Sequence, residues 1–415
     1  MRFTEEVVLF DFAGIPMVGC LDTGYAIGLT EQGAAVCARM LEEDVPEDDV
    51  TAVDPALLEH LARGGFFQRV VAEPRVLSAY LHVTQRCNLA CAGCYSLDEH
   101  RNRLADAPLA DMKRAVEGLA AAGLSQLIIS GGEPFLREDL PDIVEHAKRV
   151  CGIASVTVLS NGTRMTEEAL ERLAPNVDCV SVSFDGCSAA APAYIRGEQR
   201  FDELVEAVRM VQRAGIPAHI IPTVHAKNVD DLASYVQLSR DLGASLNFSL
   251  LTCEPDDEVL GGLLPGADEL RMLGRALLTL DNGKPLPAMD APVGVNLTVK
   301  RNCGAGCKSL SVDADGTIYP CHMLHRPELA MATRSRAPCS TRCRRMCLAR
   351  SKPSDAEKFE DCGACRYLRI CGGGCRARSL FESGNLESKD SYCLMTQEFY
   401  DVLGKAMSES LQQRR

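Results

Sequence analysis

Val76-Leu77-Ser78-Ala79-Tyr80-Leu81-His82-Val83-Thr84 runs directly into Gln85-Arg86-Cys87-Asn88-Leu89-Ala90-Cys91-Ala92-Gly93-Cys94-Tyr95. The first stretch is apolar enough to be a buried strand. The second places three thiols within eight residues as Cys-x3-Cys-x2-Cys. A cubane [4Fe–4S] cluster normally takes four thiolates. Three would hold three irons and leave the fourth open to a ligand, much as an open position marks a catalytic zinc site. A zinc-binding loop is the simpler alternative for the same residues.

Working outward, strands and helices alternate from Val76 to about Leu251. Strands are expected at 76–84, 127–130, 154–160, 177–183, 218–224 and 245–250. Met112, Ala115, Val116 and Leu119 form one apolar helix face between the first two. Leu140, Ile143, Val144 and Ala147 mark the next helix, closed by Gly152. Six such repeats predict an α/β fold, a parallel and partly closed (β/α)6 barrel similar to a TIM barrel. Active sites in such barrels sit at the C-terminal strand ends, where the Cys87 loop falls. The second strand runs into Ser130-Gly131-Gly132-Glu133-Pro134. Glycines there allow a close backbone approach, and the carboxylate can accept from an ammonium group. The third strand ends at Ser160-Asn161-Gly162-Thr163 and the fourth at Val182-Ser183-Phe184-Asp185-Gly186, with Arg196 a short distance on.

The three-cysteine loop followed by Gly131-Gly132-Glu133-Pro134 resembles the radical S-adenosylmethionine (SAM) enzymes. The resemblance implies that Cys87, Cys91 and Cys94 hold a [4Fe–4S] cluster whose open iron is chelated by SAM. One electron then cleaves SAM to methionine and a 5′-deoxyadenosyl radical, which abstracts hydrogen from an unactivated carbon. Gly131, Gly132, Glu133 and Pro134 would hold the SAM amino group. Ser183 would bond its ribose and Arg196 would pair with its carboxylate, with Asn161 a further contact. No general acid or base is assigned, so the catalytic residues remain unnamed. One departure concerns adenine packing: Gly93 precedes the third cysteine where relatives carry an aromatic residue, and Tyr95 follows it.

Eleven of the twenty cysteines lie between Cys303 and Cys393. Cys303 is followed by Gly316 and Cys321, then by Cys362-x2-Cys365-x5-Cys371-x3-Cys375 and Cys393, with Cys307 in addition. Asp315-Gly316 is a hairpin signal between Leu310-Ser311-Val312 and Thr317-Ile318-Tyr319. This pattern resembles the SPASM extension, which binds two auxiliary [4Fe–4S] clusters. By that resemblance Cys303, Cys307, Cys321 and Cys375 hold one cluster and Cys362, Cys365, Cys371 and Cys393 the other, giving three clusters in all. The short Cys303–Cys307 spacing leaves an alternative in which one of the pair is free and an iron is open. Structural zinc sites are the other alternative. Cys339, Cys343 and Cys347 recur every four residues in an Arg-rich segment and read as structural or loop residues. Cys187 and Cys253 follow the fourth and sixth strands, either as substrate-facing thiols or as small buried apolar groups. His219 and His225 read as structural, and no other acid–base constellation is evident.

Residues 1–75 read as a separate winged-helix-like module. A three-stranded meander (Val7–Phe12, Pro16–Leu21, Tyr25–Thr30) is followed by a helix over Glu31–Glu43 and another begun by Asp54-Pro55 and stopped at Gly64-Gly65. Fourteen acidic and five basic side chains give this module a net charge of −9, and the whole chain carries −13. That charge argues against nucleic acid and against a DNA-binding regulator. The module resembles the leader-recognition domains of enzymes that modify ribosomally made peptides, where a precursor peptide adds as a strand. The expected organisation is thus 1–75 peptide recognition, 76–255 barrel, 256–300 connection, 301–395 auxiliary-cluster domain and 396–415 terminal helix. Cysteines without a secretion signal suggest metal rather than disulfides, and a cytoplasmic, membrane-free enzyme reduced by a flavodoxin or ferredoxin. The expected function is oxidative peptide maturation, by thioether or carbon–carbon cross-linking. The alternatives are a maturase of a protein target of the sulfatase type, a tetrapyrrole- or small-molecule-modifying enzyme, and a non-catalytic iron–sulfur electron carrier.

Overall fold

The computed structural model describes residues 1–68, 75–96, 100–280, 297–332 and 355–413. It divides into two compact units. One comprises Met1–Glu73, Ala267–Cys303 and Ser354–Arg415, and the other Pro74–Gly266 and Gly304–Pro353. Cys339, Cys343 and Cys347 lie outside the described residues.

In the first unit the chain opens with β1 (Val7–Phe12), β2 (Ile15–Cys20) and β3 (Ala26–Gly28), an antiparallel meander in that order. Ala13 (φ 52°) and Gly14 (φ 86°) turn β1 into β2 in the left-handed region, and Gly14 N–H donates to Asp11 Oδ1 at 2.9 Å. α1 (Glu31–Glu42) starts at Thr30, whose hydroxyl accepts from Gly33 N–H. α2 (Glu47–Val53) was not expected. It is only seven residues long with Val50 its one buried side chain, too short to show a period. α3 (Pro55–Arg63) starts as the sequence predicts, with Asp54 accepting from Ala56 N–H at 2.9 Å. Val18, Cys37, Met40 and Leu61 form the core of this segment. Phe12 also packs edge-on against Tyr367 and Tyr400, both ring centroids 5.8 Å away. The N-terminal segment therefore shares apolar packing with the C-terminal helix Cys393–Gln413.

The second unit holds the barrel strands β4 (Ser78–His82), β5 (Gln126–Ser130), β6 (Ser155–Ser160), β7 (Cys179–Phe184), β8 (Ala218–Val224), β9 (Ser245–Leu246) and β10 (Ser249–Leu250). Neighbours are parallel in the order β10-β8-β7-β6-β5-β4, and β9 also pairs with β8. The strand expected over 245–250 is split in two, but both pieces keep one register on β8. α4 (Leu109–Ala121) buries Met112, Val116 and Leu119, the face its spacing predicts. α7 (Phe201–Arg213) buries Leu204, Val208 and Val211, following α5 (Leu140–Glu145) and α6 (Glu167–Leu173). Beyond β4 the sheet continues: β11 (Ser309–Val312) pairs parallel with β4 and antiparallel with β12 (Ile318–Tyr319). The Asp315-Gly316 hairpin thus forms as expected, and it extends the barrel sheet. Strand alternation sends Ala79 and Leu81 to one face of β4 and Tyr80 and His82 to the other. Among the described residues, no helix is long and apolar enough to cross a membrane.

Candidate active site

The loop after β4 is held by three hydrogen bonds, one from its own connection and two from the segments after β6 and β7. Cys87 N–H donates to Asn102 Oδ1 at 2.7 Å. Ala92 N–H donates to the Ile195 carbonyl at 2.8 Å. Asn88 Nδ2 donates to Thr163 Oγ1 at 2.8 Å, which fastens the loop to the end of β6. The three thiols of the loop share one electrostatic environment. Burial pushes Cys91 up to about 11; Arg196 opposes this, while Cys94 and Cys87 add to it. Two donors point at sulfur: Asn161 Nδ2 lies 3.9 Å from Cys87 Sγ, and Arg101 Nη2 lies 3.8 Å from Cys94 Sγ. Bare buried thiolates are costly, and the positive charge of a coordinated metal offsets that cost. The donor set therefore fits an iron–sulfur cluster, whose sulfurs accept such hydrogen bonds.

Gly131 and Gly132 lie against the cysteine loop itself. Gly132 N–H donates to the Thr84 carbonyl at 2.7 Å, and Glu133 N–H to the Arg86 carbonyl at 2.8 Å. A Cβ on Gly132 would overlap the Arg86 carbonyl, and Gly131 sits at φ +128°. These glycines are needed for backbone-on-backbone contact, in addition to any approach by a ligand. Ser96 Oγ donates to the Gly131 carbonyl at 2.8 Å, and Arg101 Nη2 donates to Ser96 Oγ at 2.6 Å.

Glu133 is fully buried. Its Oε1 accepts from Ser160 Oγ at 2.8 Å and Phe135 N–H at 3.1 Å, and its Oε2 from Asn161 N–H at 2.8 Å. Burial raises its pKa; those donors and the Arg196 charge counter the rise. Arg196 bridges the ends of β6 and β7. It donates to the Ser183 carbonyl at 2.6 Å and the Asn161 carbonyl at 3.3 Å, and its Nε lies 3.4 Å from Asp185 Oδ2. Burial raises Asp185, and Arg196 opposes that as well. Arg196, Asn161, Ser183, Glu133 and the three cysteines are thus one continuous network. Pro134 opens a short 3-10 turn behind Glu133.

Tyr95 is 42% exposed, and its hydroxyl hydrogen-bonds Ser130 Oγ. Gly93 takes φ +59°. Burial lowers both His225 and His219 to about 4, and His219 Nδ1 pairs with Ser181 Oγ at 2.6 Å. Cys253 packs with Leu251, Leu260 and Leu263. The expectation of no further acid–base constellation is corrected by the structure. His82, Asp313 and His325 come together because β4 and β11 pair, and nothing local in the sequence signals that.

In the first unit Cys362, Cys365, Cys371 and Cys393 form one group. Burial pushes Cys371 up to about 12, with Cys393 and Cys365 adding to the rise, and Cys393 up to about 11, with Cys365 and Cys362 adding. Cys375 is raised by burial, and Cys303 adds to that. Cys307 and Cys321 belong to the second unit.

The sheet order and the strand-end network define an α/β enzyme of the radical SAM type. The sequence pattern of the Radical SAM superfamily matches residues 81–238. The chain is 30% identical to the mycofactocin maturase MftC of Mycolicibacterium smegmatis, over 79% of this chain and 84% of that one. It is 28% identical to the AdoMet-dependent heme synthase of Methanosarcina barkeri (77% and 96%) and 25% identical to the PqqA peptide cyclase of Gluconobacter oxydans (81% and 95%). Among solved structures its fold is similar to anSMEcpe with bound AdoMet, at a TM-score of 0.61, 15% identity and coverage of 81% and 100%. It is also similar to Streptococcus suis SuiB bound to the precursor peptide SuiA, at 0.60, 15%, and 94% and 99%. The chain belongs to the radical SAM superfamily.

Proposed function

We propose that this enzyme is an oxidative peptide maturase. When bound, the cluster at Cys87, Cys91 and Cys94 supplies the electron that converts SAM to the radical which takes a hydrogen atom from the substrate. The chain's own residues order that chemistry. Asn161 and Arg101 donate toward the ligating sulfurs; by the family resemblance Glu133 would accept from the SAM amino group, Ser183 would meet the ribose and Arg196 would attract the carboxylate. Gly131 and Gly132 let the loop and the Glu133 turn close on each other, and Pro134 fixes that turn.

The observation that carries the reading is the network from Cys87 through Asn161 to Glu133 and Arg196, which an electron carrier does not need. Peptide as the substrate class is supported by the names of the relatives, PqqA peptide cyclase and SuiB with its precursor peptide. It is further supported by the meander β1-β2-β3, in which β3 is an outer strand able to accept an added one, as the winged-helix-like reading of residues 1–75 supposes. The SPASM reading assigns Cys362, Cys365, Cys371 and Cys393 to one auxiliary cluster and Cys303, Cys307, Cys321 and Cys375 to the other. These would accept the second electron of the oxidation, with a proton released. A flavodoxin or ferredoxin in the cytoplasm would reduce the first cluster. The heme synthase relative favours a second reading, a tetrapyrrole substrate.

The test is anaerobic co-expression with a short open reading frame encoded beside the gene, followed by intact mass of the peptide. Loss of two hydrogens per modified site, abolished by deletion of residues 1–75, supports the maturase. An unmodified peptide with SAM still cleaved rejects that pairing.

A further inference from the structure

We propose that His82, Asp313 and His325 form a mononuclear zinc site beside the cysteine loop, with no cysteine among its three ligands. The site is built by strand pairing. Val312 stands opposite Leu81 in the parallel β4–β11 ladder, so the next residue of each strand, His82 and Asp313, are neighbours at the C-terminal ends. One ring nitrogen from each histidine and a carboxylate oxygen all lie within 4.8 Å of one another. Asp313 Oδ1 is 3.4 Å from His82 Nδ1 and 3.9 Å from His325 Nδ1. Tetrahedral ligands at about 2.0–2.2 Å from zinc lie roughly 3.3–3.6 Å apart, so side-chain shifts of up to about 1 Å close the site.

A second observation points to a ligand there. His82 is fully buried, and neither of its ring nitrogens has a hydrogen-bond partner. Its Nδ1 lies 3.4 Å from Asp313 Oδ1, while no partner faces its Nε2. A buried polar atom left without a partner costs about 1–3 kcal/mol, which coordination would remove. The other two groups are already oriented as metal ligands are. His325 Nε2 is paired with Ser311 Oγ at 2.8 Å, which leaves Nδ1 for the metal. Asp313 Oδ1 receives Gln85 Nε2 at 2.8 Å and Ala314 N–H at 2.7 Å, which fixes the carboxylate plane; metal bound at Oδ1 would displace the Gln85 amide. His325 also stacks on Tyr319 with ring centroids 4.4 Å apart.

Two imidazoles and one carboxylate form a donor set that suits zinc and leaves a fourth position for water or for an oxygen or nitrogen of the substrate. The Tyr95 ring is 6.0 Å from His82, and Tyr95 directly follows Cys94. The site therefore lies beside the cysteine loop.

The experiment uses the full-length, cluster-loaded protein, prepared anaerobically from zinc-supplemented cells and dialysed free of loose metal. Zinc and iron are counted per chain, and zinc K-edge X-ray absorption reads the ligands. The expected result is about one zinc with a nitrogen and oxygen shell and imidazole scattering. His82→Ala and His325→Ala should each lower zinc at least tenfold while iron is retained. Ser311→Ala, which keeps all three ligands, should release zinc to a chelator about tenfold faster. Absence of zinc from the wild type, sulfur in the zinc shell, or unchanged zinc in both histidine variants would overturn the proposal. If the histidine variants also lose iron, Ser311→Ala decides: an unchanged release rate overturns it.

Discussion

Asn161 donates its backbone N–H to Glu133 Oε2 at 2.8 Å while its side-chain amide lies 3.9 Å from Cys87 Sγ. One residue at the end of β6 thus ties the buried carboxylate to the cluster loop. Hydrogen bonds to cluster sulfur raise a reduction potential, so removing one should lower it. Asn161→Ala should shift the SAM-binding cluster negative by on the order of tens of mV. An EPR-monitored redox titration checks this, and an unchanged potential counts against the contact.

Gly132→Ala should be severe, because its Cβ meets the Arg86 carbonyl and backbone cannot swing away as a side chain can. A destabilisation of about 2–4 kcal/mol is expected, together with loss of cluster iron from the Cys87 loop. Denaturant unfolding and iron analysis read both effects. Gly152→Ala, where nothing lies within 4 Å of the added Cβ but φ is +67°, should cost only the milder backbone strain.

The auxiliary assignment predicts a separation of activities. Cys393→Ala should lower bound iron by about four atoms, one cubane. It should leave reductive SAM cleavage in place while ending peptide oxidation, because the route for the second electron through that cluster is cut. Iron content, 5′-deoxyadenosine yield and peptide mass, measured on one preparation, separate the outcomes.

Acid sensitivity has a defined source at His219. Burial lowers its pKa from the ordinary 6.5 to about 4, so the unfolded chain binds the proton first. Stability from this group is complete above pH 6.5 and falls as pH drops toward 4. The loss is at most about 3 kcal/mol. His219→Gln should flatten the pH dependence of the unfolding free energy across that window, as urea titrations at several pH values would show.

The parts of the site legible in the sequence are those that are local in the chain. Cys87, Cys91 and Cys94 occupy one loop, Gly131 to Glu133 one turn, and the helix faces repeat at 3.6 residues. Ser160 as the partner of Glu133 needs the β5–β6 register, which residue spacing does not give. Gln85 and Asp313 are 228 positions apart, and only the pairing of β4 with β11 brings them together. His82 therefore looked like an ordinary strand residue. The glycines of the turn were read as space for a ligand, whereas the structure also uses that space for the Thr84 and Arg86 carbonyls. Helices with several buried positions were readable, and α2, with one, was not.

The central claim is that this chain takes a hydrogen atom from a peptide with a radical generated at the Cys87, Cys91 and Cys94 loop. The direct measurement is deuterium transfer from a precursor peptide made with fully deuterated amino acids, incubated with the reduced enzyme and SAM. The account predicts deuterium in the recovered 5′-deoxyadenosine, a peptide lighter by two hydrogen isotopes, and neither signal from Cys91→Ala. Unlabelled 5′-deoxyadenosine beside an unchanged peptide that binds residues 1–75 would contradict it.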